Sequence, residues 1–302
     1  MILVTGAGGK TGRAVVAALA RRQAPVRAWL RHEEQRAELL ALGATEVVVG
    51  DFLRRQDGVR ALAGARAVYH ICPNVHEQET EIGLGLLAAA RAASCRHFVY
   101  HSVLHPQIEA MAHHWLKLRV EEALFESGIP FTILQPASYL QNVLAAHRAL
   151  ARIGLLQVPY DPAAPFSPVD LADVAEAAAR ILTEPGHEGA TYELCGPRVV
   201  TTHDLAAILT EILGRPVQAQ RLTLSAWRDA ARQKKLDSYG LRTLEQMFRY
   251  YDRCGFWGSP AVLGLLLGRP PTGPRAGLRR LWQELEGPAG TAETEPSPSP
   301  DP

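Results

Sequence analysis

The first twelve residues constrain the fold more than any other part of the chain. Residues 2–4 form a short apolar run, glycines follow at 6, 8, 9 and 12, and Val15, Val16 and Leu19 then recur at helical spacing. This is the order of a strand, a tight turn and a helix. Glycine opens backbone conformations closed to other residues and lets a ligand approach the chain closely. A helix start behind such a turn offers free N–H groups and the positive end of its dipole to a phosphate. Together these predict a dinucleotide pyrophosphate site. The Gly-Lys-Thr at 9–11 invites comparison with a nucleoside-triphosphate loop. That loop needs a glycine five residues before its Gly-Lys, where this chain has Val4, inside the strand.

The rhythm continues along the chain. Strands are expected over 25–30, 46–49, 67–72, 97–102 and 131–135, and helices over 33–42, 53–62, 82–93 and 111–127, the last closed by Gly128 and Pro130. Such alternation demands an α/β fold, a Rossmann-type doubly wound parallel sheet with right-handed crossovers. Residues 1–142 are expected to form this dinucleotide-binding domain, rejoined by parts of 165–200, where a helix over 171–182 and a strand over 191–195 are expected. Residues 143–286 are expected to build a smaller C-terminal α/β substrate region. In it the prolines at 159, 162, 165 and 168 mark loops, and Thr202 is placed to cap a helix that Gly214 stops. A strand over 217–222 and helices over 225–251 follow. From Gly287, alternating Pro and Ser with acidic residues predict a disordered tail over 287–302.

Charge excludes several classes of function. The chain has 302 residues with 32 basic and 31 acidic side chains, a balance with no electrostatic footprint for nucleic acid or a membrane surface. No apolar run approaches the ~20 residues of a membrane span. A chain that opens directly on its first strand is expected to carry no secretory leader. Cysteines at 72, 95, 195 and 254 have neither paired nor metal-type spacing, so reduced thiols in a cytoplasmic protein are expected. Histidines at 97, 101, 105, 113 and 114 lack a His-Glu-x-x-His signature, and no metal site is expected.

The end of the second strand sets cofactor choice. A carboxylate there bonds the ribose 2′-hydroxyl of NAD, whereas an arginine pairs with the 2′-phosphate of NADP. This chain has Arg31, then His32, before the first acid at Glu33, and Lys10 adds a cation in the glycine turn. NADP(H) is therefore favoured over NAD(H). Asp51, with Phe52 behind it, either reaches the adenine or only shapes a turn.

Later motifs are more specific: Ser-Val-Leu-His-Pro (102–106), His-His-Trp-Leu-Lys (113–117), Gln-Pro-Ala-Ser-Tyr-Leu-Gln-Asn (135–142), Pro-Val-Asp-Leu-Ala-Asp-Val-Ala (168–175) and Phe-Arg-Tyr-Tyr-Asp-Arg-Cys-Gly-Phe (248–256). With the glycine turn and Arg31, they make the chain resemble the extended, atypical short-chain dehydrogenase/reductases, and within them the NmrA-like family, up to about residue 285. On this resemblance the expected cofactor contacts are Thr5, Gly6, Gly8, Gly9, Lys10, Thr11, Gly12, Arg31, Asp51, Phe52, Cys72, Pro73, Asn74, Ser102, Lys117, Pro136 and Tyr139.

The expected catalytic residues are Lys117, His113 and Ser102. Active short-chain reductases use a Tyr-x-x-x-Lys pair, in which the lysine binds the nicotinamide ribose and the tyrosine donates the proton. Here His113 stands at the tyrosine position. Either its imidazole, with an ordinary pKa near ~6.5, is the general acid, or it is a solvated helix-face side chain. Alternatively Lys117 acts directly, as in the resembling isoflavone-reductase group, or merely pairs with Glu121 one turn on. Tyr139 and Asn142 are expected at the cleft mouth, with Phe166, Trp115 and Tyr160 walling an apolar pocket for a quinone, enone or similar carbonyl. The resemblance implies an NADPH-dependent reductase or, since some NmrA-like proteins bind NADP without turnover, a redox sensor acting through a protein partner. Monomer and dimer remain open.

Overall fold

The computed structural model describes residues 1–145 and 147–286, so the expected tail over 287–302 lies outside the described residues. Nine strands occur among the described residues: β1 (Ile2–Val4), β2 (Val26–Leu30), β3 (Glu46–Val49), β4 (Ala67–His70), β5 (His97–His101), β6 (Phe131–Pro136), β7 (Leu155–Val158), β8 (Ala190–Leu194) and β9 (Gln218–Arg221). Seven of them form one parallel sheet in the order β3-β2-β1-β4-β5-β6-β8. Every residue of β1, β4, β5 and β6 is buried. Apolar runs of this kind suit a parallel sheet covered on both faces.

Side chains alternate across the sheet and choose the layers. Ile2 and Val4 join a core with α1 (Lys10–Arg21), α2 (Arg36–Ala41), α7 (Leu171–Thr183) and α11 (Ala261–Leu267). Leu3, between them, faces α3 (Arg55–Leu62), α4 (Glu79–Ala92) and α5 (Ala112–Glu126). A third core lies under the two-stranded parallel sheet of β7 and β9, where Leu150 of α6 (His147–Ile153) meets α8 (Thr202–Leu213) and α12 (Pro274–Glu286). Helices α9 (Leu224–Gln233) and α10 (Ser238–Cys254) complete the C-terminal part. Among the described residues, no helix is long and apolar enough to cross a membrane.

Two buried carboxylates fasten these parts together. Asp170 caps α7 by accepting from the Ala172 N–H at 2.9 Å, and it also accepts from Gln141 at 2.9 Å and Arg280 at 2.7 Å. Asp173 accepts from Arg269 at 2.8 Å. Local chemistry also corrects two expected boundaries. The helix expected over 33–42 opens as a 3₁₀ turn, Glu33–Gln35, before α2 begins. The cap of α8 is Thr201 rather than Thr202: its hydroxyl accepts from the Asp204 N–H, and the Asp204 carboxylate accepts from the Thr201 N–H. An acid three residues on completes a capping box only from position 201.

Candidate active site

A cleft of about 990 Å³ opens at the carboxyl ends of the strands, and its wall includes the turn after β1 and the loop after β4, where the strand order reverses. Gly6, Gly8, Gly9, Lys10, Thr11, Gly12, Arg31, Asp51, Phe52, Cys72, Pro73, Asn74, Ser102, His113, Lys117, Pro136, Tyr139 and Asn142 all line it. Thr5 does not. It is buried beneath the turn, where its hydroxyl accepts from the Ile71 N–H at 2.9 Å and ties the ends of β1 and β4 together.

The glycines have separate reasons. Gly6 takes the left-handed conformation, with φ at 57°. A Cβ on Gly12 would stand 2.3 Å from the Gly6 carbonyl oxygen, so α1 packs directly on the turn. Gly9 caps α1 without a side-chain hydrogen bond, and Lys10, Thr11 and Gly12 of the first turn border the cleft. Across it, Lys10 Nζ donates to Asn142 Oδ1 at 2.8 Å, and burial lowers the lysine pKa.

At the end of β2, Arg31 is exposed on the rim, while Glu33 is turned onto Arg36, whose hydrogen bond lowers its pKa. Gln35 donates to the Gly8 carbonyl at 3.3 Å. Asp51 borders the cleft and also shapes a turn, since its carboxylate accepts from the Leu53 N–H at 3.0 Å. Phe52 packs edge-on against Trp29.

Lys117 and the unforeseen Glu79 form an ion pair of 2.8 Å. The Glu79 carboxylate also accepts from the Tyr100 hydroxyl at 2.8 Å. Burial opposes its ionisation, but the Lys117 charge and the hydrogen bonds from Lys117, Cys72 and Tyr100 hold its pKa below the usual value. Burial beside that carboxylate drives the Cys72 thiol well up, so it stays protonated. The alternative pairing of Lys117 with Glu121 is not formed. Glu121 instead accepts from Ser102 Oγ and, at 2.9 Å, from Gln135, and burial raises its pKa. Nothing in the sequence spacing joins Lys117 to an acid 38 residues earlier; only the packing of α4 on α5 does so.

His113 is not a solvated helix-face residue. Burial, and then the Lys117 charge, lower its pKa to about 4. The neutral imidazole is thereby the favoured form near pH 7. Behind it, His114 packs edge-on at 4.5 Å.

A second chain of polar groups runs through His101, at the end of β5. Its Nδ1 lies 2.6 Å from the Tyr69 hydroxyl and its Nε2 lies 2.7 Å from the Tyr139 hydroxyl. Thr11 Oγ1 donates to the same Tyr139 oxygen at 3.2 Å. Burial lowers the His101 pKa to about 3.

The far half of the cleft is apolar and aromatic. Tyr160, Phe166, Phe248, Tyr251 and Phe256 line it, with Tyr160 and Phe166 centred 5.0 Å apart. Trp115 is not part of this wall; it packs under the Arg119 guanidinium, 5.2 Å from the ring centre. It follows His113 and His114 on α5, and on a helix adjacent residues point in different directions. Among the described residues, no group of three or more His, Cys, Asp or Glu side chains is placed to hold a metal ion.

Known proteins share the sequence pattern and the fold of this chain. Residues 1–262 match the model of the NmrA-like family. The chain is 36% identical over 233 residues to (4-alkanoyl-5-oxo-2,5-dihydrofuran-3-yl)methyl phosphate reductase of Streptomyces griseus, covering 76% of this chain and 80% of the relative. It is 30% identical over 279 residues to quinone oxidoreductase 2 of Escherichia coli, covering 90% and 95%. The crystal structure of the Escherichia coli NADPH-dependent quinone oxidoreductase QOR2 with NADPH superposes with a TM-score of 0.82 at 28% identity, over 94% of this chain and 100% of that one. The chain belongs to the NmrA-like family.

Proposed function

We propose that this protein is an NADPH-dependent oxidoreductase that passes hydride to a quinone, enone or similar uncharged carbonyl compound. The observation that carries the reading is the continuity of one cleft. It joins a glycine turn with Arg31 at one end to an aromatic lobe at the other, with Lys117 on the wall between. The chain's own residues fit a dinucleotide: Gly12 has no room for a Cβ, and α1 presents a first turn free of side-chain capping. The Lys10 ammonium and the Arg31 guanidinium supply positive charge for phosphates, and Glu33, the first carboxylate after β2, is engaged by Arg36.

Bound NADPH supplies the hydride. Lys117, oriented by Glu79, donates hydrogen bonds into the cleft, while the apolar lobe excludes water and holds a flat acceptor. The named activities of the relatives support turnover over the alternative of a cofactor sensor. The test is NADPH oxidation with a panel of quinones and enones, alongside direct measurement of NADPH binding. Turnover with at least one class is expected; tight binding with no turnover on any acceptor overturns the reading.

A further inference from the structure

The hydrogen bonds around His101 single out one hydroxyl. Tyr69 is fully buried, and among the described residues its hydroxyl has one partner, His101 Nδ1. A buried hydroxyl hydrogen needs an acceptor. If Nδ1 carried the ring proton, it would donate to the Tyr69 oxygen and leave the Tyr69 hydrogen unpaired. Tyr69 therefore donates to Nδ1, and the neutral ring carries its proton on Nε2. That N–H donates to the Tyr139 oxygen, onto which Thr11 also donates. Both lone-pair positions of the phenol oxygen are then filled. Its own hydrogen has no acceptor among the described residues, and Tyr139 lines the cleft.

We propose that Tyr139 is the catalytic proton donor, in place of the tyrosine missing from position 113, with His101 and Thr11 as its positioning residues. The inference rests on the reductase reading. When the substrate gains hydride at carbon, the electron pair displaced onto its oxygen takes the Tyr139 proton. The O–H bond of the phenol breaks and a substrate O–H bond forms. The resulting phenolate is held by two donors already in place, the His101 Nε2–H and the Thr11 hydroxyl. It regains a proton from solvent water once the product leaves. Preorganised donors aimed at a developing oxyanion need no rearrangement during the step. Lys117, whose charge acts on His101, adds a cation to the same neighbourhood.

Two measurements test this. The first is nitrogen-15 NMR of histidine-labelled protein without ligand, with His101 assigned by a His101→Gln variant. A protonated Nε2 and a bare Nδ1 are expected; the opposite tautomer overturns the proposal. The second is Tyr139→Phe, assayed with an enone. General acid catalysis is commonly worth about 10²–10⁴-fold, so kcat should fall at least about 100-fold. A kcat within twofold of an active wild type overturns this proposal alone. A wild type without turnover on any acceptor overturns the reductase reading and the proposal together. Should Tyr139→Phe not fold, the tautomer measurement still decides.

Discussion

Glu79 opens α4 and Lys117 lies midway along α5, yet their side chains meet at 2.8 Å beside the cleft, with the carboxylate almost wholly buried. Removing one partner of such a pair strands a buried charge, at a cost of about 3–5 kcal/mol. Lys117→Met should lose stability of this order and most of the turnover. Adding Glu79→Gln should recover much of the stability and none of the activity. Urea unfolding and NADPH oxidation on both variants check this; a double variant no more stable than Lys117→Met contradicts the pairing.

The pair also fixes a sign of pH dependence. The Glu79 pKa is lowered on folding, so its contribution is present above the unfolded value of 4.5 and lost as pH falls through the folded one. His70, His97, His101, His113 and His114 act in the same direction. Burial lowers His70 and His113 to about 4 and His101 to about 3, from 6.5. The unfolded chain binds their protons first, so stability falls as pH drops from 6.5 towards 4. For fully buried His70 alone this amounts to up to about 3 kcal/mol. Unfolding curves between pH 7.5 and 4 should show this slope, and a flat profile would count against neutral buried imidazoles.

Because His113 is neutral over most of that range, it should leave no limb near pH 6.5 in the turnover profile. His113→Asn should change the rate without moving the pH dependence between 6 and 8. A limb present in the wild type and missing from the variant would return His113 to the role of general acid.

Arg31 should govern cofactor choice. Pairing with a 2′-phosphate at an exposed rim is worth about 1–2 kcal/mol, so Arg31→Ala should reduce the NADPH-over-NADH preference roughly tenfold. Fluorescence titration of both nucleotides measures it. A variant that keeps its full preference would assign the 2′-phosphate to another group.

Gly12→Ala tests the close approach of α1 to the turn. The added methyl group would meet the backbone oxygen of Gly6 at 2.3 Å, a contact that no side-chain rotation relieves. A loss of about 1–3 kcal/mol of stability and weakened NADPH binding are expected. Unaltered affinity would show that the turn can open without consequence.

Much of the frame was legible along the chain because its causes are local. Apolar runs of β-strand length alternating with helical periodicity fixed the parallel sheet, and glycines at 6, 8, 9 and 12 marked the turn. Arg31 could be read as a cofactor determinant because its place is a strand end, a position the local pattern defines. The neighbours of Lys117 were another matter. An i,i+4 rule offered Glu121, but that carboxylate turns to Ser102 and Gln135, and Glu79 reaches in from another helix. Trp115 shared a motif with His113 and Lys117 yet points elsewhere.

What the sequence by itself determined was the doubly wound sheet, the dinucleotide turn and the chemical types available at the strand ends. Tertiary structure decided which groups carry charge and which carry a free proton. Those properties depend on burial and on partners far apart in the chain: burial and the Lys117 charge lower the His113 pKa, and the hydroxyls of Tyr69 and Tyr139 meet the two nitrogens of His101.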